Sequence, residues 1–246
     1  MATLAVSGLS KSYGGVHAVR GLSFSVAAGE LVAMIGPNGA GKTTCFNLLN
    51  GQLEPDAGEI LLDGESLVGA KPRQIWRLGV GRTFQVAATF GSMSVRENVQ
   101  TALLSYRGQL HSLFSAARRC CVSEADALLE RVGMREQAER QCAVLAYGDL
   151  KRVELAMALA NQPRLLLMDE PTAGMAPDER AALMELAAAA AKSEGIAVLF
   201  TEHDMSMVFG FATRVIVLHD GELIAEGAPQ VVRADPRVRE VYLGDA

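Results

Sequence analysis

The stretch that decides the fold lies near residue 40 and reads Gly36-Pro37-Asn38-Gly39-Ala40-Gly41-Lys42-Thr43, followed by Thr44. It matches the phosphate-binding pattern G-x-x-x-x-G-K-[ST] and follows the apolar run Leu31–Ile35. A strand before this pattern and a helix after it aim backbone N–H groups and a positive helix end at a phosphate chain. Lys42 adds a mobile charge, and the Thr43 hydroxyl can ligate Mg²⁺. The sequence therefore predicts a nucleoside triphosphate site.

Composition narrows the class of protein. Half of the 246 residues are apolar, and the formal net charge of −5 gives no basic footprint for nucleic acid, so no nucleic-acid partner is expected. The four cysteines (45, 120, 121 and 142) lack metal-ligand spacing and are interpreted as reduced thiols in the cytosol. The N-terminus lacks the pattern of a secretory signal. No apolar run approaches the roughly 20 residues that span a bilayer, so a membrane role would come through a partner.

Strand and helix signals divide the chain into three parts. The N-terminal part predicts short strands between turn signals, at residues 3–9, 22–26, 31–35 and 59–62. Residues 92–142 predict a small helical insert, in which Ser123 and Asp126 form a predicted capping box. Beyond residue 150, predicted helices (151–160 and 178–192) alternate with predicted strands (165–168, 196–200 and 215–218). This alternation predicts an α/β fold with a parallel sheet covered on both faces.

Two carboxylates follow one of the apolar strands. Residues 165–168 are apolar, and Asp169 and Glu170 come directly after them. A buried parallel strand delivers its last residues to the carboxyl edge of the sheet, where ligands bind. Asp169 is therefore placed to hold Mg²⁺, and Glu170 to polarise an attacking water. The alternative is a strand end followed by a solvated acidic turn; the phosphate-binding loop in the same chain favours the functional interpretation.

Three further side chains fit the same site. His203 follows the predicted strand 196–200, which places it at the same sheet edge, although a lone histidine is more often structural. Gln85 carries an amide that can ligate Mg²⁺ and orient water; by itself it would be interpreted as an ordinary polar loop residue. Tyr13 lies in a Gly-rich turn and is placed to stack on an adenine ring; otherwise it is one partly buried tyrosine among four.

Taken in chain order, these motifs resemble those of the ATP-binding subunits of ABC transporters. The resemblance covers essentially the whole chain: aromatic Tyr13, Walker A at 36–43, Gln85 of the Q-loop, a signature segment at 145–149, Walker B at 165–169 with Glu170, a D-loop around 174–178 and His203 of the H-loop. Walker motifs are shared by many NTPases. A signature and an H-loop in this order are specific to the ABC class.

The resemblance implies a fold and a mechanism. The fold would be a RecA-like P-loop NTPase core with a parallel sheet, an N-terminal antiparallel β subdomain and a small α-helical subdomain. The core would comprise residues 1–86 and 156–246, and the helical subdomain about 87–155. The cofactors would be ATP and Mg²⁺. Two such subunits would pair head to tail around two ATP molecules, so that each ATP touches the Walker A of one chain and the signature of the other.

Several short segments resemble those of importer subunits for branched-chain amino acids and for related hydrophobic or amide substrates. The supporting phrases are Gly81-Arg82-Thr83-Phe84-Gln85, Ala146-Tyr147-Gly148, Thr201-Glu202-His203-Asp204-Met205, Ile224-Ala225-Glu226-Gly227 and the tail at 235–244. The implied partners are integral membrane permease subunits and, indirectly, a substrate-binding protein, which places the chain in the cytoplasm on the inner face of the cell membrane. Motion would reach the permease through a groove at residues 85–98, including Phe90 and Met93, which fit the core of the insert equally well.

The signature segment departs from the family pattern Leu-Ser-Gly-Gly-Gln. Ala146 replaces the serine, Tyr147 the first glycine and Asp149 the glutamine, whereas Leu145 and Gly148 are retained. Ala146 offers no hydroxyl to a γ-phosphate, and Asp149 brings a negative charge or acts as a helix cap. We therefore expect the partner ATPase subunit to be a different chain, with two unequal ATP sites, while a homodimer stays open.

Other functions remain as alternatives. One is the ATPase of a lipid or lipopolysaccharide exporter. Another is a soluble ABC ATPase that works on ribosomes or DNA, which the single motif set and the acidic charge disfavour. A third is a nucleotide-dependent binding subunit with little hydrolysis, which the altered signature favours and the intact Glu170 and His203 oppose.

Overall fold

The computed structural model describes residues 2–109 and 120–243, which form two β-sheets with helices packed around them. Residues 110–119 of the predicted helical subdomain lie outside this part of the chain. No helix in the described ranges is long and apolar enough to cross a membrane. The four cysteines are free, as their spacing predicts.

The smaller sheet is antiparallel and built mostly from the N-terminal part. Its strands are β1 (Ala2–Tyr13), β2 (Val16–Ala27), β4 (Ala57–Leu62) and β5 (Glu65–Ser66), in the order β2-β1-β4-β5. Along β2, Leu22, Phe24 and Val26 are buried and the residues between them are exposed. One face therefore covers the core and the other meets water. The predicted N-terminal β subdomain is confirmed.

The larger sheet carries the site at one edge. Its strands are β3 (Leu31–Ile35), β6 (Val80–Thr83), β7 (Leu165–Asp169), β8 (Ala197–Thr201), β9 (Arg214–His219) and β10 (Glu222–Gly227), in the order β10-β9-β3-β8-β7-β6. All neighbours pair in parallel except β9 and β10. All five residues of β3 are buried, as a strand covered on both faces requires. The carboxyl ends of β3, β7 and β8 meet at the same edge.

Helices cover both faces of this sheet. They are α1 (Lys42–Leu49), α2 (Pro72–Arg77), α3 (Val95–Tyr106), α4 (Val122–Arg131), α5 (Tyr147–Leu159), α6 (Pro177–Glu194), α7 (Met205–Phe211), α8 (Pro229–Ala234) and α9 (Pro236–Val238). On β3, Val32 and Met34 belong to a core shared with α1 and the smaller sheet. Ala33 and Ile35 face the other core, which α3 to α6 cover. The predicted α/β sandwich is confirmed.

The start of α4 differs from the prediction. The helix begins at Val122, and its N-cap is Cys121 in the left-handed region (φ 57°), so the predicted cap at Ser123 is wrong. The Asp126 carboxylate, which would complete a capping box, instead accepts from Arg96 Nε at 2.6 Å and pairs with Arg135 at 3.0 Å. Ion pairs with neighbouring segments have displaced the local motif.

Helix α5 also starts earlier than predicted, at Tyr147 rather than at residue 151. Gly148 discourages a helix in the sequence, but here it lies in the first turn, where a Cβ atom would come within 2.6 Å of Glu179 on α6. These Glu179 atoms are the end of a flexible side chain that can move aside, so the packing alone does not require glycine at this position. The proposed domain boundary between residues 155 and 156 falls inside α5, and the division into subdomains stays a prediction.

Candidate active site

The phosphate-binding loop connects β3 to α1, as the sequence predicts. A Cβ atom at Gly36 would lie 2.1 Å from the Leu218 carbonyl oxygen, and one at Gly41 would lie 2.3 Å from the Ala18 carbonyl oxygen. Gly41 also adopts φ 99°, a conformation that side-chain-bearing residues avoid. Packing against these two backbone carbonyls therefore requires glycine at both positions, and it holds the loop in a fixed shape.

The Lys42 side chain is hydrogen-bonded to the backbone of its own loop. It is buried, and Nζ donates to the carbonyl oxygens of Gly36 at 2.6 Å and Pro37 at 3.0 Å. Burial lowers the pKa of the Lys42 ammonium, while the Glu170 and Asp169 carboxylates oppose that shift. The lysine is therefore preorganised within the loop, next to two negative charges.

A cleft of about 180 Å³ lies between this loop and the residues that follow β7 and β8. Its lining comprises Ala18, Asn38, Gly39, Ala40, Gly41, Lys42, Thr43, Thr44, Glu170 and His203. The structure thus brings the predicted loop residues 38–44 together with two of the three predicted catalytic side chains, whereas Gly36 and Pro37 are not among the lining residues. Ala18, on β2, was not predicted from the sequence.

Glu170 is the centre of the predicted catalytic group. Gln85 Nε2 donates to Glu170 Oε2 at 2.7 Å, and His203 Nε2 lies 2.9 Å from Glu170 Oε1. Glu170 adopts φ 46°, which is uncommon outside glycine, and its backbone N–H donates to Thr201 Oγ1 at 3.0 Å. Strain of this kind persists where surrounding contacts hold it, and it clusters at functional sites. All three predicted catalytic residues therefore converge on one carboxylate.

Asp169, the last residue of β7, is bonded through both oxygens. Thr201 Oγ1 donates to Asp169 Oδ1 at 2.9 Å, and Arg82 Nη2 lies 3.4 Å from Asp169 Oδ2. Burial lowers the pKa of the Arg82 guanidinium, and the Asp169 charge opposes that shift. Sequence reasoning missed both partners, because neither a strand arginine nor a strand threonine reveals which neighbour it faces.

The C-terminal tail also reaches this site. Burial, and to a smaller extent the Glu170 and Glu202 carboxylates, raise the pKa of the Tyr242 hydroxyl, which is also close to the Gly36 backbone. The sequence holds no signal that Tyr242 lies beside the loop.

The residues present fit Mg²⁺, which needs hard oxygen ligands. The predicted ligands Thr43, Gln85 and Asp169 offer a hydroxyl, an amide oxygen and a carboxylate. The described residues hold no cluster of three or more acidic, histidine or cysteine side chains suited to a metal. Mg²⁺ keeps several waters and binds through one or two carboxylates plus phosphate oxygens, so the single carboxylate of Asp169 fits this ion.

The signature segment lies apart from the cleft. None of Ala146, Tyr147, Gly148 and Asp149 is among the cleft residues given above. Ala146 is the N-cap of α5 without a side-chain bond, and Asp149 lies in the first turn, so Asp149 does not cap the helix. Its carboxylate accepts from Gln137 Nε2 at 3.3 Å. The Tyr147 hydroxyl donates to the Gln85 carbonyl oxygen at 3.0 Å, which ties the segment to the Gln85 loop.

Tyr13 ends β1 and is 47% exposed. It does not line the cleft as described, although Ala18 on the adjoining strand does. Its predicted stacking on adenine therefore stays a prediction.

Family comparison gives two matches to this chain. Residues 19–173 match the family described as ABC transporter. Residues 222–246 match the family described as branched-chain amino acid ATP-binding cassette transporter. The first match spans the phosphate-binding loop, the signature segment and both carboxylates.

Relatives of known annotation align over nearly the full length. The chain is 42% identical to the high-affinity branched-chain amino acid transport ATP-binding protein LivG of Salmonella typhimurium, over 99% of this chain and 98% of the relative. It is 40% identical, with the same coverage, to the corresponding protein BraF of Pseudomonas aeruginosa. It is 36% identical to the lipopolysaccharide export system ATP-binding protein LptB of Acidithiobacillus ferridurans, over 98% of this chain and 97% of the relative.

Solved structures share the fold. An ATP-binding cassette of an ABC transporter in its ADP conformation superposes with a TM-score of 0.89 at 30% identity, covering 100% of both chains. A dimeric cassette in a post-hydrolysis state, bound to ADP and Pi, superposes with a TM-score of 0.77 at 25% identity, covering 92% of this chain and 98% of the other.

Proposed function

Because this chain belongs to the ABC transporter family, as an ATP-hydrolysing subunit, we propose that it drives a membrane importer of branched-chain amino acids, or of related hydrophobic amino acids and small amides. The cargo class rests on the two relatives named for branched-chain amino acid transport, which are 42% and 40% identical. The relative named for lipopolysaccharide export is 36% identical. The C-terminal family match favours the importer further.

ATP binds in the cleft beside Lys42. Its phosphates lie over the backbone N–H groups of residues 38–44 and the N-terminus of α1, where the helix dipole favours negative charge. Lys42 now donates to the Gly36 and Pro37 carbonyl oxygens. It exchanges these neutral acceptors for phosphate oxygens, which form stronger charge-assisted bonds.

Thr43, Asp169 and Gln85 are the residues that hold Mg²⁺. When bound, the ion neutralises charge on the phosphate oxygens and orients them. Asp169 is oriented for this role by Thr201 at 2.9 Å and by Arg82 at 3.4 Å.

The hydrolytic role rests on the hydrogen bonds that Glu170 makes with Gln85 and His203. Gln85 holds one carboxylate oxygen at 2.7 Å, and His203 holds the other at 2.9 Å. The carboxylate therefore has a fixed orientation at the wall of the cleft, where it polarises the attacking water. General base action of this kind contributes about 10²–10⁴-fold to rate. His203, also in the cleft lining, stabilises the charge near the γ-phosphate.

A second ATPase subunit completes each site. The signature residues lie away from this chain's own cleft, which supports a head-to-tail pair in which they face the partner's ATP. The dimeric cassette bound to ADP and Pi shares this fold. Ala146 supplies no hydroxyl, so the site built from this chain's Walker A and the partner's signature is the stronger of two unequal sites. We propose that the partner is a different chain.

The permease binds at the groove beside the Gln85 loop. Val86 is 77% exposed and Phe90 is 53% exposed, so this loop presents apolar side chains to its surroundings. A cleft of about 350 Å³ adjoins it, with largely apolar walls that include Trp76, Phe84 and Met157. A cytoplasmic segment of a permease covers this apolar surface and holds the chain on the inner face of the membrane.

Recovery of the native complex tests this function. The chain, tagged and expressed in its own cell, is purified from detergent-solubilised membranes, and ATP hydrolysis is measured in liposomes. We expect a permease to co-purify, and hydrolysis to rise when the cognate binding protein is loaded with leucine, isoleucine or valine. Stimulation by lipopolysaccharide but not by amino acids would establish the exporter, and absence of any membrane partner would reject both.

A further inference from the structure

Helix α5 carries a buried ion pair that the mechanism above does not use. Lys151 is 2% exposed and Glu154 is 3% exposed, and Lys151 Nζ lies 3.3 Å from Glu154 Oε2. Taking two charges out of water is costly, and the attraction between them offsets that cost only when their remaining polar atoms are also hydrogen-bonded. The groups to which Lys151 and Glu154 make their remaining hydrogen bonds therefore indicate the role of the pair.

The remaining bonds go to the backbone of the loop that carries Gln85. Glu154 Oε1 accepts from the Phe84 N–H at 2.9 Å and from the Ala88 N–H at 3.3 Å. Lys151 Nζ donates to the Phe84 carbonyl oxygen. Both backbone groups of Phe84 are thus bound by one helix, together with the backbone N–H four residues later.

The same helix makes a further bond to this loop at its N-terminus. The Tyr147 hydroxyl donates to the Gln85 carbonyl oxygen at 3.0 Å, and Lys151 Nζ lies 5.8 Å from the centre of the Tyr147 ring. The Gln85 side chain then reaches Glu170 at 2.7 Å. A continuous set of contacts therefore runs from the signature end of α5, through the loop backbone, to the catalytic carboxylate.

We propose that Lys151 and Glu154 are positioning residues that hold the backbone of residues 84–88 to α5 and so set where Gln85 meets Glu170. The inference rests on the proposed function, because the position of Gln85 affects turnover only if Glu170 activates water.

Two charge-neutral double variants separate this role from simple filling of the core. Lys151→Met/Glu154→Gln and Lys151→Met/Glu154→Leu both remove the ion pair and nearly keep the volume. Only the first retains an oxygen that accepts from Phe84 and Ala88. Val153→Ala is the control for lost packing, because Val153 is fully buried on the same helix and makes no bond to the loop.

The experiment measures melting temperature, ATP affinity and hydrogen–deuterium exchange on the purified full chain with Mg-ATP, and turnover on the transporter assembled with the second ATPase subunit. We expect the Gln and Leu double variants to bind ATP within about twofold of each other, since Walker A is unchanged. The Leu variant should exchange faster at residues 84–88, and its kcat should be about 10- to 100-fold lower than that of the Gln variant. Val153→Ala should melt earlier without either change. Equal exchange at 84–88 and equal kcat in the two double variants would overturn the proposal.

Tyr147→Phe is a milder variant that keeps the core intact if the Leu variant does not fold. It should raise exchange at residues 84–88 and lower kcat a few-fold at unchanged KM, because one of the helix-to-loop bonds is lost. No change in either measurement would again contradict the proposal. Wild type and Glu170→Gln are measured in parallel. Wild-type turnover that does not depend on Glu170 would refute the proposed function, whereas the exchange comparison still decides whether the pair holds the loop.

Discussion

The phosphate-binding loop and the signature segment use the same local device with different results. Each is a glycine-containing stretch that opens a helix, α1 in one case and α5 in the other. The loop before α1 faces Glu170 and His203 from two other strands, and the chain itself assembles the cleft. Among the contacts described above, the segment that opens α5 reaches only its own Gln85 loop, Gln137 and α6. A helix N-terminus becomes a complete site only where other elements converge on it, and in the function proposed above another chain completes the second one.

The largest expected effect concerns the cleft at the phosphate-binding loop, which this chain assembles by itself. Glu170→Gln keeps the shape but removes the base, so kcat should fall by about 10²–10⁴-fold while ATP affinity is kept. Steady-state phosphate release and a nucleotide-binding titration measure the two quantities. Glu185→Gln, an exposed change on α6, is the charge-matched control and should leave both unchanged. Equal turnover in the two variants would remove Glu170 from the mechanism.

The next effect concerns the shape of the loop. Gly41→Ala forces a Cβ atom against the Ala18 carbonyl oxygen at φ 99°, a strain of about 1–3 kcal/mol. We expect ATP affinity to fall about tenfold, because the loop must shift away from its phosphate-binding form. Gly210→Ala, in α7 with open space around it, is the control and should bind ATP normally. Normal binding by Gly41→Ala would show that the loop tolerates the displacement.

A smaller effect is expected at the signature segment when its missing serine is restored. Ala146→Ser restores a hydroxyl at the N-cap of α5, so the ATPase rate of the assembled transporter should rise about 2- to 10-fold, the value of one hydrogen bond. Turnover of the isolated chain as a monomer should stay the same, because the signature acts on a partner's ATP. An unchanged rate in the assembled transporter would count against unequal sites.

The smallest effect concerns adenine. Tyr13→Ala should weaken ATP binding about threefold if the ring stacks on the base. Tyr13→Phe keeps the ring and should bind ATP as the wild type does. Identical affinities in the wild type and Tyr13→Ala would leave Tyr13 as a surface residue.

The sequence was informative where chemistry is encoded locally. The phosphate-binding loop, the two carboxylates after β7 and His203 after β8 follow from a short motif and from strand ends that must meet at one edge. Four strands of the larger sheet were predicted within a few residues, although β6 and β10 were missed as strands. These features depend on few neighbours, and so a single sequence carries them.

The rest depends on contacts that no local pattern encodes. Arg82 reaches Asp169 only because β6 pairs with β7 in a particular register, with Arg82 opposite Leu167. Glu154 offered a weak signal, since it stands between Val153 and Leu155 on a buried helix face. Its partners are about 70 residues away in the chain and could not be identified from spacing.

The most direct test of the composite site compares ATP binding with ATP turnover across protein concentration. The purified chain is titrated from dilute monomer to high concentration, alone and with the second ATPase subunit recovered from its native complex. We predict that each chain binds ATP at every concentration, because its own cleft is complete. Turnover per chain should rise only as dimer forms, whether with itself or with that second subunit. Turnover per chain that stays constant down to the monomer would contradict the account, since one chain would then hold the whole site.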